Sequence, residues 1–131
     1  MTAQAHPLQF LLVDDDPLIL MSLNDLIQDM GHETVEAAHA DAALEHLSKS
    51  GRAIDVLLTD IKLPTMSGYE LAQQARHMLP GLRIIFATGY DSKRIGDAVH
   101  DPAIRFLQKP FGQKELDDAL SSMGLTETAN R

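Results

Sequence analysis

Short apolar runs alternate along the chain with longer segments in which apolar residues recur every three or four positions. The short runs, several of them rich in Val, Leu and Ile, predict buried strands of a parallel sheet, and the periodic segments predict helices. Five strands that alternate with five helices predict an α/β fold in which right-handed crossovers cover both faces of the sheet. The predicted strands are Phe10–Val13, Glu33–Ala37, Ile54–Thr59, Leu82–Ala87 and Ile104–Leu107.

Capping residues set the predicted boundaries of the helices. Asp16 is an expected N-cap with Pro17 at the first helical position, and Gly31 ends the same helix. Ser67 and Glu70 match a capping box at the start of the third helix. The other predicted helices are Asp41–Lys49, about Ser92 to Val99 with an interruption at Gly96, and Gln113–Met123. The residues predicted to face inward from the first and third helices are Ile19, Leu23, Leu26, Ile27, Met30, Leu71, Ala72, Ala75 and Met78.

The length and composition favour one domain over residues 1–131, with a core of about 8–123 and flexible ends at 1–7 and 124–131. The absence of Cys excludes disulfides, thiolate catalysis and Cys-based zinc sites. A formal charge of −8 opposes non-specific binding to nucleic acid or to an anionic membrane. No apolar run approaches the length of a membrane span, so we expect a soluble, unprocessed protein in the cytoplasm.

Polar side chains follow four of the predicted strands at the point where each strand ends. Asp14 and Asp15 follow the first strand and Asp60 follows the third. Thr88 follows the fourth strand, and Lys109 comes shortly after the fifth. In open parallel sheets, binding and chemistry take place just beyond the carboxyl ends of the strands. These residues are therefore candidates for a single site.

Each of these residues also has a purely structural explanation. The aspartates could be turn formers, and Asp60 could open the turn that Pro64 helps to shape. Thr88 could cap the loop at Gly89, and Lys109 could be a solvated surface charge. All of these explanations are unlikely to hold at once, so the set favours one polar pocket.

Carboxylates gathered in one pocket repel one another, by roughly 4 kcal/mol for a pair about 4 Å apart at an effective dielectric constant near 20. A divalent cation is therefore expected, and oxygen ligands without His or Cys favour Mg²⁺. Asp60 could then act as a nucleophile on phosphorus without a separate general base, because carboxylates are already ionised at neutral pH. Lys109 and the Thr88 hydroxyl would stabilise charge on the transferred oxygens.

Together these motifs give the chain a resemblance to a known family. The sequence resembles the receiver domain of two-component response regulators, and the likeness covers nearly the whole chain. The segments that carry it, in the family's order and spacing, are Val13–Pro17, Leu58–Pro64, Thr88 and Lys109–Phe111. The resemblance implies a doubly wound, flavodoxin-like sheet of order 2-1-3-4-5, with its site between strands 1 and 3. It also implies that a histidine kinase or a histidine phosphotransfer protein donates a phosphoryl group to Asp60.

The resemblance also implies a role for each residue of the pocket. Asp15 and Asp60 would bind Mg²⁺ directly, and Asp14 would act largely through water. The backbone carbonyl of Lys62 would complete the protein ligands. Lys109 would pair with the phosphoryl group, and its peptide bond to the following proline is usually cis in the family.

Several positions depart from the commonest family pattern. Phe106 stands where the family often has a Tyr switch, so its ring lacks a hydroxyl and its coupling to Thr88 is expected to differ. The segment Phe86–Tyr90 resembles the FAT GUY motif of single-domain response regulators. Lys62 and Tyr90 lie where the family controls the access of water to the phosphoryl group, and we expect this bulky pair to slow hydrolysis.

The sequence therefore predicts a stand-alone receiver, without an output domain, that is a signalling protein rather than an enzyme. Self-phosphorylation with Mg²⁺ and slow self-dephosphorylation are expected. Output is expected through the face formed by the fourth helix, the fifth strand and the last helix, by protein interaction or by onward transfer. A receiver cut from a hybrid histidine kinase is an alternative. A haloacid-dehalogenase-like phosphatase is disfavoured because no Gly-Thr follows Asp14–Asp16 and because a cap domain is missing from the sequence. A phosphorylation-independent interaction module is disfavoured because the full set of site residues is present.

Overall fold

The computed structural model of the chain describes residues 7–50, 53–89 and 101–125. In chain order the elements in these ranges are β1 (Gln9–Val13), α1 (Pro17–Asp29), β2 (Glu33–Ala37), α2 (Ala40–Ser50), β3 (Val56–Asp60), α3 (Gly68–Met78), β4 (Arg83–Thr88), β5 (Ile104–Gln108) and α4 (Gln113–Ser122). The predicted helix at about 92–99 lies outside the described residues, as do most of the predicted flexible ends. None of the helices in these ranges is both long and apolar enough to cross a membrane.

A five-stranded parallel sheet forms the centre of the fold, with the strand order β2-β1-β3-β4-β5. Because successive side chains of a strand point to opposite faces, each of the central strands contributes to two separate apolar clusters. One cluster lies between the sheet and the pair α1 and α4, and the other lies between the sheet and the pair α2 and α3. The predicted doubly wound α/β fold of order 2-1-3-4-5 is therefore confirmed.

Helix α1 begins and ends at the residues that the sequence predicts. The Asp16 carboxylate accepts a hydrogen bond from the backbone N–H of Leu18 at 2.9 Å, and Pro17 is the first helical residue. At the other end Gly31 has a φ of +92°, a left-handed conformation that suits glycine. Because Asp16 alone supplies the N-cap, capping of α1 does not account for Asp14 and Asp15, which follow β1.

The same agreement holds at the start of α3. Ser67 and Glu70 form the predicted capping box, in which each side chain accepts a hydrogen bond from the backbone N–H of the other. The capping box satisfies two N–H groups that would otherwise lack partners in the first turn. As a result, the loop between β3 and α3 ends at Ser67, the N-cap of the helix.

Three strands extend one residue further than predicted. Asp60, Thr88 and Gln108 are the last residues of β3, β4 and β5 rather than the first residues of the loops. The reason is pairing between neighbouring strands, since Asp60 is opposite Ala87 and Thr88 is opposite Gln108 in the parallel register. The candidate site residues Asp60 and Thr88 are thus held by the sheet itself.

One predicted core position of α3 is wrong. Met78 is 41% exposed, whereas the helical period predicts that it faces inward. It is the last residue of the helix, and Leu79, one position further along, packs against the core. In α1 the prediction omits Leu20, which is buried, while Ile19, Leu26 and Met30 are partly buried against the same cluster.

Candidate functional site

Three carboxylates gather where β1 and β3 end. These strands are neighbours, and Val13 is opposite Thr59, so Asp14 and Asp15 come next to Asp60. One oxygen from each of the three aspartates lies within 4.8 Å of the others. Asp14 is buried and Asp15 is exposed, so the cluster lies between the protein interior and solvent. A set of three carboxylates and no nitrogen or sulfur donor suits a hard cation such as Mg²⁺.

Lys109, in the loop after the edge strand β5, brings a positive charge into this cluster. Its Nζ is 3.1 Å from Oδ2 of Asp14 and 3.4 Å from Oδ2 of Asp60. The backbone N–H of Lys109 donates to the carbonyl oxygen of Thr88 at 2.8 Å, and this bond ties the loop after β5 to the end of β4. One ammonium group therefore lies against two of the three carboxylates, and the cluster keeps a net negative charge.

Asp14 is almost completely buried, and its position is fixed by several partners. Its backbone N–H donates to the carbonyl oxygen of Ala37 at 3.2 Å, and its Oδ1 accepts from the N–H of Asp16 at 2.9 Å. Its Oδ2 accepts from Lys109. A buried carboxylate is costly unless it is paired and hydrogen-bonded, and Asp14 meets both conditions.

Thr88 and Phe106 lie on neighbouring strands beside this pocket. Thr88 is 1% exposed and is the last residue of β4. Two residues earlier Phe86 is opposite Phe106, and their ring centroids are 5.2 Å apart. Tyr69 also contacts the Phe86 ring, edge-on, with centroids 4.9 Å apart. A row of three aromatic rings therefore runs from α3 to β5, and Phe106 is a half-buried member of it.

The predicted gate residues are only partly described. Lys62 lies in the loop after β3, two residues beyond Asp60, and its side chain is exposed. Tyr90 lies outside the described residues, so its position relative to the pocket stays a prediction. The Lys109–Pro110 peptide bond is cis, and Phe111 packs against the cluster under α1 and α4.

Gly68 has a steric importance that the sequence interpretation did not recognise. A Cβ built at this position would lie well inside 3.0 Å of the carbonyl oxygen of Asp60 and 3.0 Å from the Cα of Ile61. The N–H of Gly68 also donates to the carbonyl oxygen of Ile61 at 2.7 Å. The one signal in the sequence was a glycine in the first turn of α3, where a better helix former is expected.

An apolar cleft of about 490 Å³ lies next to the pocket, between α1 and the loop that carries Lys109. The side chains that line it are Ile19, Ser22, Leu23, Leu26, Lys109, Pro110 and Phe111. Nearby on α1, Leu18 is 69% exposed and Met21 is 56% exposed. An apolar surface of this kind beside a charged pocket is typical of a protein interaction site.

The strand order and the pocket beyond the ends of β1 and β3 define a doubly wound α/β protein of the flavodoxin-like class, in which ligands bind at that switch point. The response regulator receiver domain family matches residues 10–121 of the chain. The chain therefore belongs to the receiver domain family of two-component signalling.

Proteins of several architectures are similar to this chain. Sensor kinase CckA of Brucella abortus is 31% identical over 114 residues, which are 86% of this chain and 12% of the kinase. Sporulation initiation phosphotransferase F of Bacillus subtilis is 30% identical over 119 residues, which cover 86% of this chain and 90% of that protein. A CheY-like receiver domain protein from Methanospirillum hungatei is 31% identical, and its crystal structure matches with a TM-score of 0.74 over 88% of this chain and 92% of its own.

These relatives differ widely in length. The chain spans 12% of the sensor kinase, and it spans 24% and 20% of two response regulators from Pseudomonas aeruginosa and Oryza sativa. The relatives therefore include both small receivers and receivers within larger proteins.

Proposed function

We propose that this receiver accepts a phosphoryl group on Asp60 from a histidine kinase or a histidine phosphotransfer protein, with Mg²⁺ as cofactor. The observation that carries the proposal is the position of Asp60, whose carboxylate lies within 4.8 Å of two other carboxylates and 3.4 Å from the Lys109 ammonium. A carboxylate is a competent nucleophile for phosphorus when its surroundings compensate the charge of the incoming group.

The chain's own donors fit the proposed ion. Asp15 and Asp60 would bind Mg²⁺ directly, Asp14 would act through water, and the backbone carbonyl of Lys62 would be the last protein ligand. When bound, Mg²⁺ would neutralise charge on the phosphoryl oxygens. The three carboxylates already have the oxygen-only chemistry that this ion prefers.

The remaining residues act on the transferred group. A bond forms between an Asp60 oxygen and phosphorus while the bond from phosphorus to the donor's histidine nitrogen breaks, and the electron pair stays with that nitrogen. Lys109 would exchange its contact with Asp60 for one with a phosphoryl oxygen, and the Thr88 hydroxyl would donate to another. Positioning and electrostatics therefore supply the catalysis.

The decisive experiment compares wild type, Asp60→Asn and Asp16→Asn with a small-molecule phosphodonor and Mg²⁺, read by intact mass. Asp16 is a matched control because it belongs to the same aspartate run but caps α1, a role that Asn performs equally well. We expect labelling of wild type and Asp16→Asn and none of Asp60→Asn. Equal labelling of all three proteins would refute the assignment of Asp60.

The apolar cleft beside α1 supports a docking site for the protein donor. Leu18 and Met21 are exposed on the helix that begins directly after the aspartates, and the cleft ends at Lys109 of the pocket. A donor seated there would hold its phosphohistidine close to Asp60. Met78 is also exposed, but it is the last residue of α3, at the opposite end of that helix from Gly68, which contacts the Asp60 carbonyl.

This docking proposal is tested by separating protein donors from small-molecule donors. We expect Met21→Glu to slow transfer from a phosphotransfer protein by about tenfold, the loss of one well-buried interface contact. Its labelling by a small-molecule donor should stay unchanged. Met78→Glu is the control, since Met78 is also exposed, at 41%. Equal loss in both variants, or loss with both donors for Met21→Glu, would contradict the proposal.

Signalling after phosphorylation would use the face formed by β5, α4 and the segment at 92–99. Phe106 would be the switch ring of this face. It contacts Phe86, which lies two residues before Thr88, with the two rings tilted by 32°. Lys62 and Tyr90 would slow hydrolysis by restricting water. Replacement of both by Ala should shorten the lifetime of the phosphoryl group, and an unchanged lifetime would contradict that role.

The whole protein could be a stand-alone receiver or a larger protein that contains this receiver. The phosphotransferase relative, of which the chain covers 90%, supports a stand-alone receiver. The sensor kinase relative, at 31% identity, supports a receiver module of a hybrid histidine kinase. The mass of the native protein in its source cell decides between them, because a hybrid kinase is several times larger than this chain.

A further inference from the structure

Buried polar side chains are rare in this fold, and one of them has no role in the site described so far. In the ranges that the structure describes, the buried polar or charged side chains are Asp14, Thr59 and Thr88, at 1%, 0% and 1% exposure. Asp14 and Thr88 belong to the pocket. A buried hydroxyl is unfavourable unless it is hydrogen-bonded, so Thr59 also needs an explanation.

The side chains opposite Thr59 offer its hydroxyl no hydrogen-bond partner. In β3, Thr59 lies opposite Val13 of β1 and Phe86 of β4, and both are buried apolar residues. Val would fill nearly the same volume and would bring no polar atom into the core. The hydroxyl is therefore the feature that distinguishes Thr at this position.

That hydroxyl donates to the carbonyl oxygen of the next residue, Asp60, at 2.9 Å. The same carbonyl is in contact with Gly68, where any Cβ would collide with it. Immediately beyond, the N–H of Gly68 donates to the carbonyl of Ile61 at 2.7 Å. The backbone between Asp60 and Ile61 is thus held from one side by a side chain of β3 and from the other by the first turn of α3.

We propose that Thr59 is a positioning residue for phosphoryl transfer, acting together with Gly68 as a clamp on the Asp60 carbonyl. That oxygen belongs to the peptide plane that links Asp60 to Ile61, so its position defines ψ of Asp60. This angle sets the direction of the loop that carries the Lys62 carbonyl. The inference rests on the proposed function, because it concerns the geometry of the same acceptor.

The test compares Thr59→Val, which removes the hydroxyl at nearly constant volume, with Thr59→Ser, which keeps it. Phosphorylation is measured at saturating Mg²⁺ and saturating small-molecule donor, with urea unfolding as the measure of stability. We expect Thr59→Val to be slower by on the order of tenfold, less than the ~10²-fold cost of a 1 Å misplacement. Thr59→Ser should stay within about threefold of wild type, a change smaller than one well-formed hydrogen bond supplies.

A purely structural role gives a different pattern. If Thr59 only fills space, Thr59→Ser loses as much activity as Thr59→Val, or both follow the loss of stability, and the proposal is overturned. A wild-type rate in a folded Thr59→Val protein overturns it as well. If Thr59→Val does not fold, Thr59→Cys replaces it, because a thiol is only a weak donor, and it carries the same expectation.

A second readout does not depend on phosphorylation. The carbonyl carbon of Asp60 should show a change in its NMR chemical shift in Thr59→Val but little change in Thr59→Ser, because only the first variant loses the hydrogen bond. An unchanged shift refutes the clamp. If wild type is not labelled but the shift change is present, the proposed function is refuted. The contact of Thr59 and Gly68 with the Asp60 carbonyl is then a structural feature only.

Discussion

Removal of one carboxylate from the pocket should stabilise the protein in the absence of divalent ions. Asp15 is the informative choice, because its oxygen lies within 4.8 Å of those of Asp14 and Asp60, while the ion pairs of Lys109 go to the other two aspartates. At 4.8 Å a pair of like charges repels by about 0.9 kcal/mol in water and about 3.5 kcal/mol at an effective dielectric constant of 20. Asp15 is exposed, so the lower value applies.

Two such pairs predict that Asp15→Asn raises the free energy of unfolding by about 1–2 kcal/mol in a chelator at low salt. The gain should shrink in high salt, which screens charges near the surface. Added Mg²⁺ should favour wild type more than the variant, because binding to the folded state stabilises it by an amount that rises with the logarithm of the affinity. Urea unfolding followed by far-UV circular dichroism measures all three effects.

Asp16→Asn removes a charge of the same sign from the next position but preserves the N-cap, so its effect should stay within about 0.5 kcal/mol. If Asp15→Asn is less stable than wild type in chelator, or if its gain does not depend on salt, repulsion is not the main effect of the Asp15 carboxylate on stability. The acidic pocket would then lack the electrostatic reason for binding a cation.

Three further predictions concern other residues of the fold. Lys109→Ala should destabilise the chelated protein by about 3 kcal/mol, because it leaves the buried Asp14 carboxylate unpaired; urea unfolding with and without Mg²⁺ checks this, and no loss would contradict it. Gly68→Ala should cost about 1–3 kcal/mol and most of the phosphorylation rate, whereas Gly81→Ala, which has open space around its Cβ, should lose no activity. Burial lowers the pKa of His32 below its usual value, so the unfolded chain binds the proton more readily and stability should fall as pH drops below about 6.5. His32→Asn should flatten that dependence between pH 7.5 and 5.5, and an unchanged slope would show that other groups cause it.

Local patterns in the sequence were sufficient for most of the elements and for the identity of the polar residues at the strand ends. Asp16 with Pro17 and Ser67 with Glu70 act on N–H groups within one turn, so their effect depends little on the rest of the fold. Apolar runs long enough to be buried on both faces indicated the parallel sheet. Such signals depend on a residue's neighbours along the chain.

Distances between segments were decided by the tertiary structure alone. Lys109 and Asp14 are 95 positions apart in sequence, and no periodicity could show that Nζ of one lies 3.1 Å from Oδ2 of the other. Met78 is exposed and Leu79 packs against the core because α3 ends at Met78, and the position of that end relative to the core is set by tertiary packing.

The stretch around Asp60 shows both contributions. The sequence determined that a carboxylate would stand at the end of a buried strand, because the hydrophobic run stops there. Only the packing of α3 against β3 revealed that Gly68 leaves no room for a Cβ. The hydrogen bond from the Thr59 hydroxyl to the Asp60 carbonyl joins neighbouring residues, but the strand pattern does not indicate it. Close approach of two backbones is set by how helices and strands pack in three dimensions, and the order of residues along the chain does not specify it.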